Sequence, residues 1–318
     1  MYDLIRLGTS CNQKCDFCFN RWEPINKNLK TKEAKRLIKI YSEKMKYLSF
    51  TGGEPTIRSD LSKLINYAVQ VGIKEVGIQT NAVRLANKNY TKFLVNKGLS
   101  YAFVSLHSHK MDISDALAGT PRNFKKTIRG IKNLLNLGVR IRISHVICLQ
   151  NYKDLTAFVK FIQNMSPKIE IEFSTVLPSP DIRKNKKIIV KLSEMEPYFY
   201  DALTYCKKNN IPFIISSCSV PLCYAQGFEE YSTEYTTMAN FFNSKEKAIN
   251  PMNNLPEDLK IYEEDRGMEN WEKNKIKSER CMECSLSSFC NGVWINYAQT
   301  FGIDELKPVK NRFIAYHF

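Results

Sequence analysis

The 318-residue chain has no uninterrupted apolar run near the roughly 20 residues that a membrane-spanning helix needs. Its first residues, MYDLIRLGTSC, lack the charged-then-apolar pattern of an export signal. A cytoplasmic protein without a membrane partner is therefore expected. Internal repeats and low-complexity tracts are missing too. Acidic residues are the scarcer charge, 32 against 47 Lys and Arg, leaving a formal charge of +15. Yet no arginine- and aromatic-rich stripe emerges, and the lysines of NKNLKTKEAK, RKNKK and EKNKIKSER are scattered. That distribution favours an acidic protein partner over nucleic acid, without excluding the latter. Hydrophobic residues at 43% and charged residues at 25% suit one large soluble domain, or a domain with an appendage.

Ten cysteines are present, but a chain without an export signal is a poor candidate for a disulfide framework. Their grouping points to metal instead. Cys11, Cys15 and Cys18 form one cluster and Cys281, Cys284 and Cys290 another, with Cys218 and Cys223 between. Cys148 and Cys206 stand alone and read as small buried hydrophobes.

Strand-like and helix-like segments alternate from residue 2 to about 177. YDLIRLG reads as a strand, TKEAKRLIKIYSEKM carries apolar residues at helical spacing, and DLSKLINYAVQVG is a helix closed by Gly72. Six such units predict an α/β protein, a partial (β/α)6 barrel of parallel strands buried on both faces. A small cysteine-rich C-terminal extension follows, the domains being 1–187 and 188–318. Chemistry in parallel barrels gathers at the C-terminal strand ends. GTSC, TGGEP, QTNA, SLHSH and VLPSP all fall there.

Three thiolates at Cys11-x3-Cys15-x2-Cys18 satisfy three irons of a [4Fe–4S] cube and leave one open, whereas structural zinc takes four ligands. With Phe17 before the last cysteine and Gly52-Gly53-Glu54-Pro55 at the second strand end, this loop resembles the signature of the radical S-adenosylmethionine (radical SAM) superfamily. The resemblance implies that the open iron chelates S-adenosylmethionine. One electron then cleaves its sulfur–C5′ bond, and the resulting 5′-deoxyadenosyl radical takes a hydrogen atom from substrate. It implies cofactor contacts from Phe17, Gly52, Gly53, Glu54, Thr80, Asn81 and Ser105, although turn capping accounts equally for Thr80, Asn81 and Ser105. The family often has Gly where Ala82 stands. His107, at a strand end, is a candidate catalytic residue; one of His107 and His109 is expected to point inward, and His145 reads as a core histidine.

Cys281-x2-Cys284-x5-Cys290 resembles the auxiliary-cluster region of the SPASM/twitch extensions of that superfamily. No cysteine follows Cys290, so one auxiliary [4Fe–4S] cluster is implied rather than two. Its fourth ligand is Cys223 or Cys218, or the position is open; Cys223, after Pro221, is preferred, which leaves Cys218 as a candidate hydrogen-atom donor. A peptide or protein substrate is the leading expectation, with a flavodoxin or ferredoxin as reductant. Because the first cysteine lies at position 11, a separate partner would have to bind any leader peptide. The alternatives are a radical dehydrogenase or isomerase of a sugar or other small metabolite, an RNA-modifying enzyme, and a non-catalytic zinc- or cluster-binding protein.

Overall fold

A computed structural model describes residues 3–18, 28–216, 220–243 and 273–310. Its strands are β1 (Asp3–Arg6), β2 (Tyr47–Thr51), β3 (Glu75–Thr80), β4 (Leu99–Ser105), β5 (Arg140–Ile147), β6 (Glu170–Thr175) and β7 (Phe213–Ile215). They form one parallel sheet in the order β1-β2-β3-β4-β5-β6-β7. The helices are α1 (Thr31–Ser42), α2 (Leu61–Gln70), α3 (Lys88–Asn96), α4 (Met111–Leu117), α5 (Phe124–Asn136), α6 (Leu155–Met165), α7 (Ile182–Ile188) and α8 (Leu192–Lys208). Beyond the sheet lie α9 (Thr233–Asn243), the antiparallel pair β8 (Lys275–Ile276) and β9 (Val293–Trp294), and α10 (Ile295–Phe301).

The alternation of strand and helix is as the sequence predicts, with one addition. The segment IPFIIS supplies β7, which pairs parallel to β6 through Ile171↔Phe213 and Phe173↔Ile215. α8 is the crossover that makes this seventh unit possible, since parallel neighbours need a long connection. α4, which the periodicity did not reveal, is a short helix over MDISDAL.

By compactness the chain divides into two units. Among described residues, one holds 3–144 and 162–170, the other 145–161, 171–243 and 273–310. This line follows packing density and differs in kind from the functional boundary expected at 187/188. In the first unit, Ile5, Leu48, Phe50, Ile78, Ala102 and Val104 are fully buried strand residues. α5 buries Thr127, Gly130, Ile131 and Leu134 at helical spacing. Its start is held by the Asp115 carboxylate, which accepts from the amides of Arg122, Asn123 and Phe124 at 2.7, 3.0 and 2.7 Å. In the second unit His145 lies between Phe158 and Phe173, with ring centroids 4.0 and 6.0 Å away, a core histidine as the sequence suggests. Cys148 and Cys206 are likewise fully buried. No helix among the described residues is long and apolar enough to cross a membrane.

Candidate active site and cysteine centres

The first cysteine group rides on the loop after β1, and the GGEP turn after β2 lies directly against it. Gly53 N donates to Gly8 O at 2.7 Å and Glu54 N donates to Ser10 O at 2.8 Å. A Cβ at Gly52 or Gly53 would fall inside contact distance of the Gly8 or Ser10 carbonyl, and Gly52 sits at φ +129°. These glycines are thus required to let two strand ends approach through bare backbone.

Glu54 is 2% exposed. Its Oε1 accepts from Thr56 N at 3.0 Å, Thr56 Oγ1 at 2.6 Å and Thr80 Oγ1 at 2.7 Å, and its Oε2 accepts from Asn81 N at 2.7 Å. That fills what a carboxylate can accept. Burial pushes its pKa above the ordinary range, opposed by these hydrogen bonds. Glu54 therefore joins the end of β2 to the turn after β3. Thr80 also accepts from Ala82 N at 3.0 Å, so its hydroxyl is engaged within the same turn. Ala82 adopts φ +58°, a left-handed conformation that glycine would take without strain.

Asn81 reaches the cysteine loop. Its Nδ2 donates to Asn12 Oδ1 at 2.7 Å and lies 4.0 Å from Cys11 Sγ, while its Oδ1 accepts from Val83 N. From behind, Thr127 Oγ1 of α5 donates to Asn81 O at 2.9 Å. The far side of the loop is held by α4: Lys14 N and Asp16 N donate to Ala118 O and Leu117 O. Arg58 braces the end of β1, donating from Nη1 to Leu7 O and Leu29 O at 2.9 Å each while paired with Asp60. Asn12, Thr56, Thr127 and Arg58 are functional supports that no motif advertises.

The structure brings Cys11, Cys15 and Cys18 close enough to feel one another's charge. Burial raises the Cys11 pKa, and burial followed by the charges of Cys18 and Cys11 pushes Cys15 up to about 12. Phe17 meets His107 edge-on, with centroids 4.8 Å apart. His107 is buried and His109 half-buried, so one imidazole of the pair is turned inward. Ser105 is half-buried at the end of β4, in register with Ser144.

Burial pushes the His107 pKa down to about 4, making it a neutral imidazole at pH 7. The unfolded chain, with an ordinary value near 6.5, binds the extra proton, so the contribution to stability is complete above about pH 6.5 and falls away towards pH 4. Between pH 7 and 5 about 2 kcal/mol should be lost through this group. Urea unfolding of the protein and of His107→Phe at the two pH values checks this. The variant should show a correspondingly shallower loss.

In the second unit, Cys223, Cys281, Cys284 and Cys290 line one cavity, with Pro221 and Lys307 on its wall. Cys223 precedes the rest by nearly sixty residues and arrives on the turn after Pro221. Each sulfur is met by a polar group: Cys284 Sγ accepts from Val309 N at 3.3 Å, Cys290 Sγ from Gly292 N at 3.4 Å, and Cys281 Sγ lies 3.3 Å from Ser278 Oγ. Cys223 receives a backbone hydrogen bond from Lys307. Arg280 clamps the surrounding loop by donating to Asp304 O and Leu306 O at 2.6 and 3.1 Å. Burial, then the charges of the other three cysteines, pushes Cys223 up to about 12. Cys218 lies outside the described residues.

Residues 5–162 match the family model described as the radical SAM superfamily. These residues belong to that superfamily. A curated relative, the Fe-coproporphyrin III synthase of Methanosarcina barkeri, is 33% identical over 156 residues, covering 48% of this chain and 38% of its own. A probable GTP 3′,8-cyclase of Saccharolobus solfataricus is 30% identical over 164 residues, 51% of this chain and 52% of its own. The match thus spans about half or less of these relatives' length. Among solved structures, anSMEcpe with bound AdoMet and a Cp18Cys peptide aligns over 97% of this chain and 92% of its own, at 15% identity and TM-score 0.64. At that identity the likeness is one of fold.

A radical SAM domain implies a [4Fe–4S] cluster and S-adenosylmethionine, and the residues fit. Three neighbouring thiols, Cys11 exposed and Cys15 and Cys18 half-buried, would repel one another as free thiolates, but suit a cationic cluster that takes up their charge. Among the described residues no three His, Cys, Asp or Glu side chains are gathered as around one metal ion. The C-terminal four instead line one shared cavity. A cube takes one thiolate at each corner, whereas a single zinc draws its ligands to a point. The donors to sulfur complete the fit, since outer hydrogen bonds orient and tune ligating groups.

Proposed function

We propose that the chain is a radical SAM enzyme acting on a peptide or protein, with Cys11, Cys15 and Cys18 holding the S-adenosylmethionine-binding cluster. Cys223, Cys281, Cys284 and Cys290 hold one auxiliary [4Fe–4S] cluster in a twitch-like C-terminal extension, which begins near residue 188. When bound, the first cluster and S-adenosylmethionine supply a 5′-deoxyadenosyl radical that takes a hydrogen atom from substrate. The chain's own work is positioning. Glu54 locks the β2 and β3 ends, Asn81 steadies the cysteine loop, and Gly52 and Gly53 keep the two turns in contact. Phe17 and His107 form an apolar, neutral wall that helps to exclude water, and Ser105 is the remaining cofactor contact. Cys218 is the proposed hydrogen-atom donor. Free thiols of this kind suit a reducing, cytoplasmic location.

The observation that carries the second cluster is the four-cysteine cavity. With four thiolates its cluster has no vacant corner, which favours electron transfer over direct substrate binding. The peptide reading is supported by the likeness to anSMEcpe, which runs through the C-terminal region as well as the barrel. A small-molecule substrate is the second reading, favoured by the names of the sequence relatives. Incubation with S-adenosylmethionine and deuterated candidate substrates separates them. Deuterium in 5′-deoxyadenosine from a peptide encoded beside this gene supports the first. Deuterium from a porphyrin or nucleotide alone overturns it.

The proposed reductant is an acidic flavodoxin or ferredoxin. No acidic residue occurs between Glu75 and Asp112, a run carrying Arg84, Lys88, Lys92, Lys97 and Lys110. Lys88 and Lys92 are exposed on α3, and Lys125, Lys126, Arg129 and Lys132 on α5. α5 backs the Asn81 turn through Thr127, so this basic face lies behind the first cysteine loop. Converting Lys88, Lys92, Lys126 and Arg129 to Glu should slow flavodoxin-driven turnover by about tenfold or more at low salt and abolish its salt dependence. Dithionite-driven turnover should not change. Equal loss with both reductants, or flavodoxin turnover indifferent to salt in the parent enzyme, would count against this face.

A further inference from the structure

Behind the second cysteine centre lies a charged pair that no motif announces. Lys275 Nζ is 3.1 Å from Glu234 Oε1, and both side chains are 3% exposed. Glu234 comes from the first turn of α9. Lys275 opens β8, opposite Trp294 of β9, and its ammonium lies 5.6 Å from that indole ring. The same Oε1 accepts from the amide of Asn291 at 3.1 Å. The next residue, Gly292, donates its amide to Cys290 Sγ.

This arrangement is costly if stability were its only purpose. Removing two charges from water costs several kcal/mol per ion, and an apolar pair of similar volume is often as stable or more so. The cost secures a fixed carboxylate hydrogen-bonded to the amide of the residue after Cys290, with the lysine ammonium paired to the same oxygen. The carboxylate is thus the end of the pair that is bonded into the Cys290–Gly292 loop.

We propose that Glu234 and Lys275 are positioning residues for the auxiliary cluster: they hold the Cys290–Gly292 loop and set the cluster's reduction potential through a buried dipole. The proposal rests on the auxiliary-cluster reading. A negative charge near a cluster disfavours the added electron and lowers its potential, and a positive charge raises it; low exposure keeps both effects unscreened. The two residues should therefore act in opposite directions, which loss of packing alone would not produce.

The test uses the full chain with Cys11, Cys15 and Cys18 replaced by alanine, so that only the auxiliary cluster reports. It is reconstituted without oxygen, and its midpoint potential is followed by electron paramagnetic resonance. Glu234→Gln should raise the potential, Lys275→Met should lower it, and the double variant, which loses the nearer negative end together with its counter-charge, should lie above the parent but below Glu234→Gln. If a single variant does not fold, the double variant, which leaves no unpaired buried charge, should fold, retain iron and show that smaller upward shift. Shifts of the same sign in both singles, unchanged potentials with iron intact, or a double variant at or below the parent's potential would overturn the proposal. If the parent itself binds no iron, the auxiliary-cluster reading fails first. That outcome is distinguishable, because it precedes any substitution at Glu234 or Lys275.

Discussion

Replacing Cys11, Cys15 and Cys18 together with alanine should reduce 5′-deoxyadenosine formation to the level of an enzyme-free control, even with excess dithionite. All three cysteines sit on the loop after β1, and no other described cysteine shares their neighbourhood. About four of about eight irons should disappear. The remaining iron should keep the spectrum of a fully cysteine-ligated cluster, because its ligands lie in the other compact unit. The fold of the first unit should survive, since the GGEP turn, Glu54 and Arg58 hold the strand ends without the thiols. Product analysis by chromatography, with iron counted on the same sample, checks all three points. Continued cleavage of S-adenosylmethionine by the triple variant would contradict the assignment of the first centre.

The second large effect should come from Cys284→Ala. Its sulfur is one wall of the four-cysteine cavity and accepts from Val309 N, so the substitution removes a ligand and leaves a buried amide without its acceptor. Iron should fall by about half, to about four per chain. Cluster binding is largely folding energy where the surrounding segment has little apolar periodicity. Limited proteolysis should therefore cut beyond residue 190 in the variant at protease levels the parent resists. S-adenosylmethionine cleavage should persist, uncoupled from product. Cys223→Ala should behave in the same way as Cys284→Ala. Cys218→Ala should keep all its iron, and as a hydrogen-atom donor it should lose only product. Full iron and full activity in Cys284→Ala would rule out an auxiliary cluster at this cavity.

Much of this was legible in the sequence, and the limits have physical causes. The cysteine spacings and GGEP are local, so a loop could be read without knowing what it touches. The alternation of strands and helices announced a parallel sheet, because near-continuous apolar strands and amphipathic crossovers are periodic signals. The membership of β7 in that sheet is not legible, since pairing is a long-range property. The turn after Pro221 carries Cys223 into the lining of the cavity with the other three cysteines, whereas Cys218 lies outside the described residues.

What Glu54 and Thr80 do was not legible. Their hydrogen bonds run between strand ends more than twenty residues apart, and only the order of strands brings these together. The same holds for Asn12 with Asn81 and for Glu234 with Lys275. Ala82 shows the opposite case. The resemblance alone singles out this position, where glycine is expected, and the backbone there has a left-handed φ that glycine takes without strain.

One measurement bears most directly on the two-centre account: Mössbauer spectroscopy of the enzyme reconstituted with iron-57, recorded before and after adding S-adenosylmethionine. About eight irons per chain in two [4Fe–4S] clusters are predicted. The added cofactor should perturb only the signal of the cluster held by Cys11, Cys15 and Cys18, leaving the fully ligated half unchanged. A chain that takes up only about four irons, all responsive to S-adenosylmethionine, or that fills the C-terminal cavity with zinc, would contradict it.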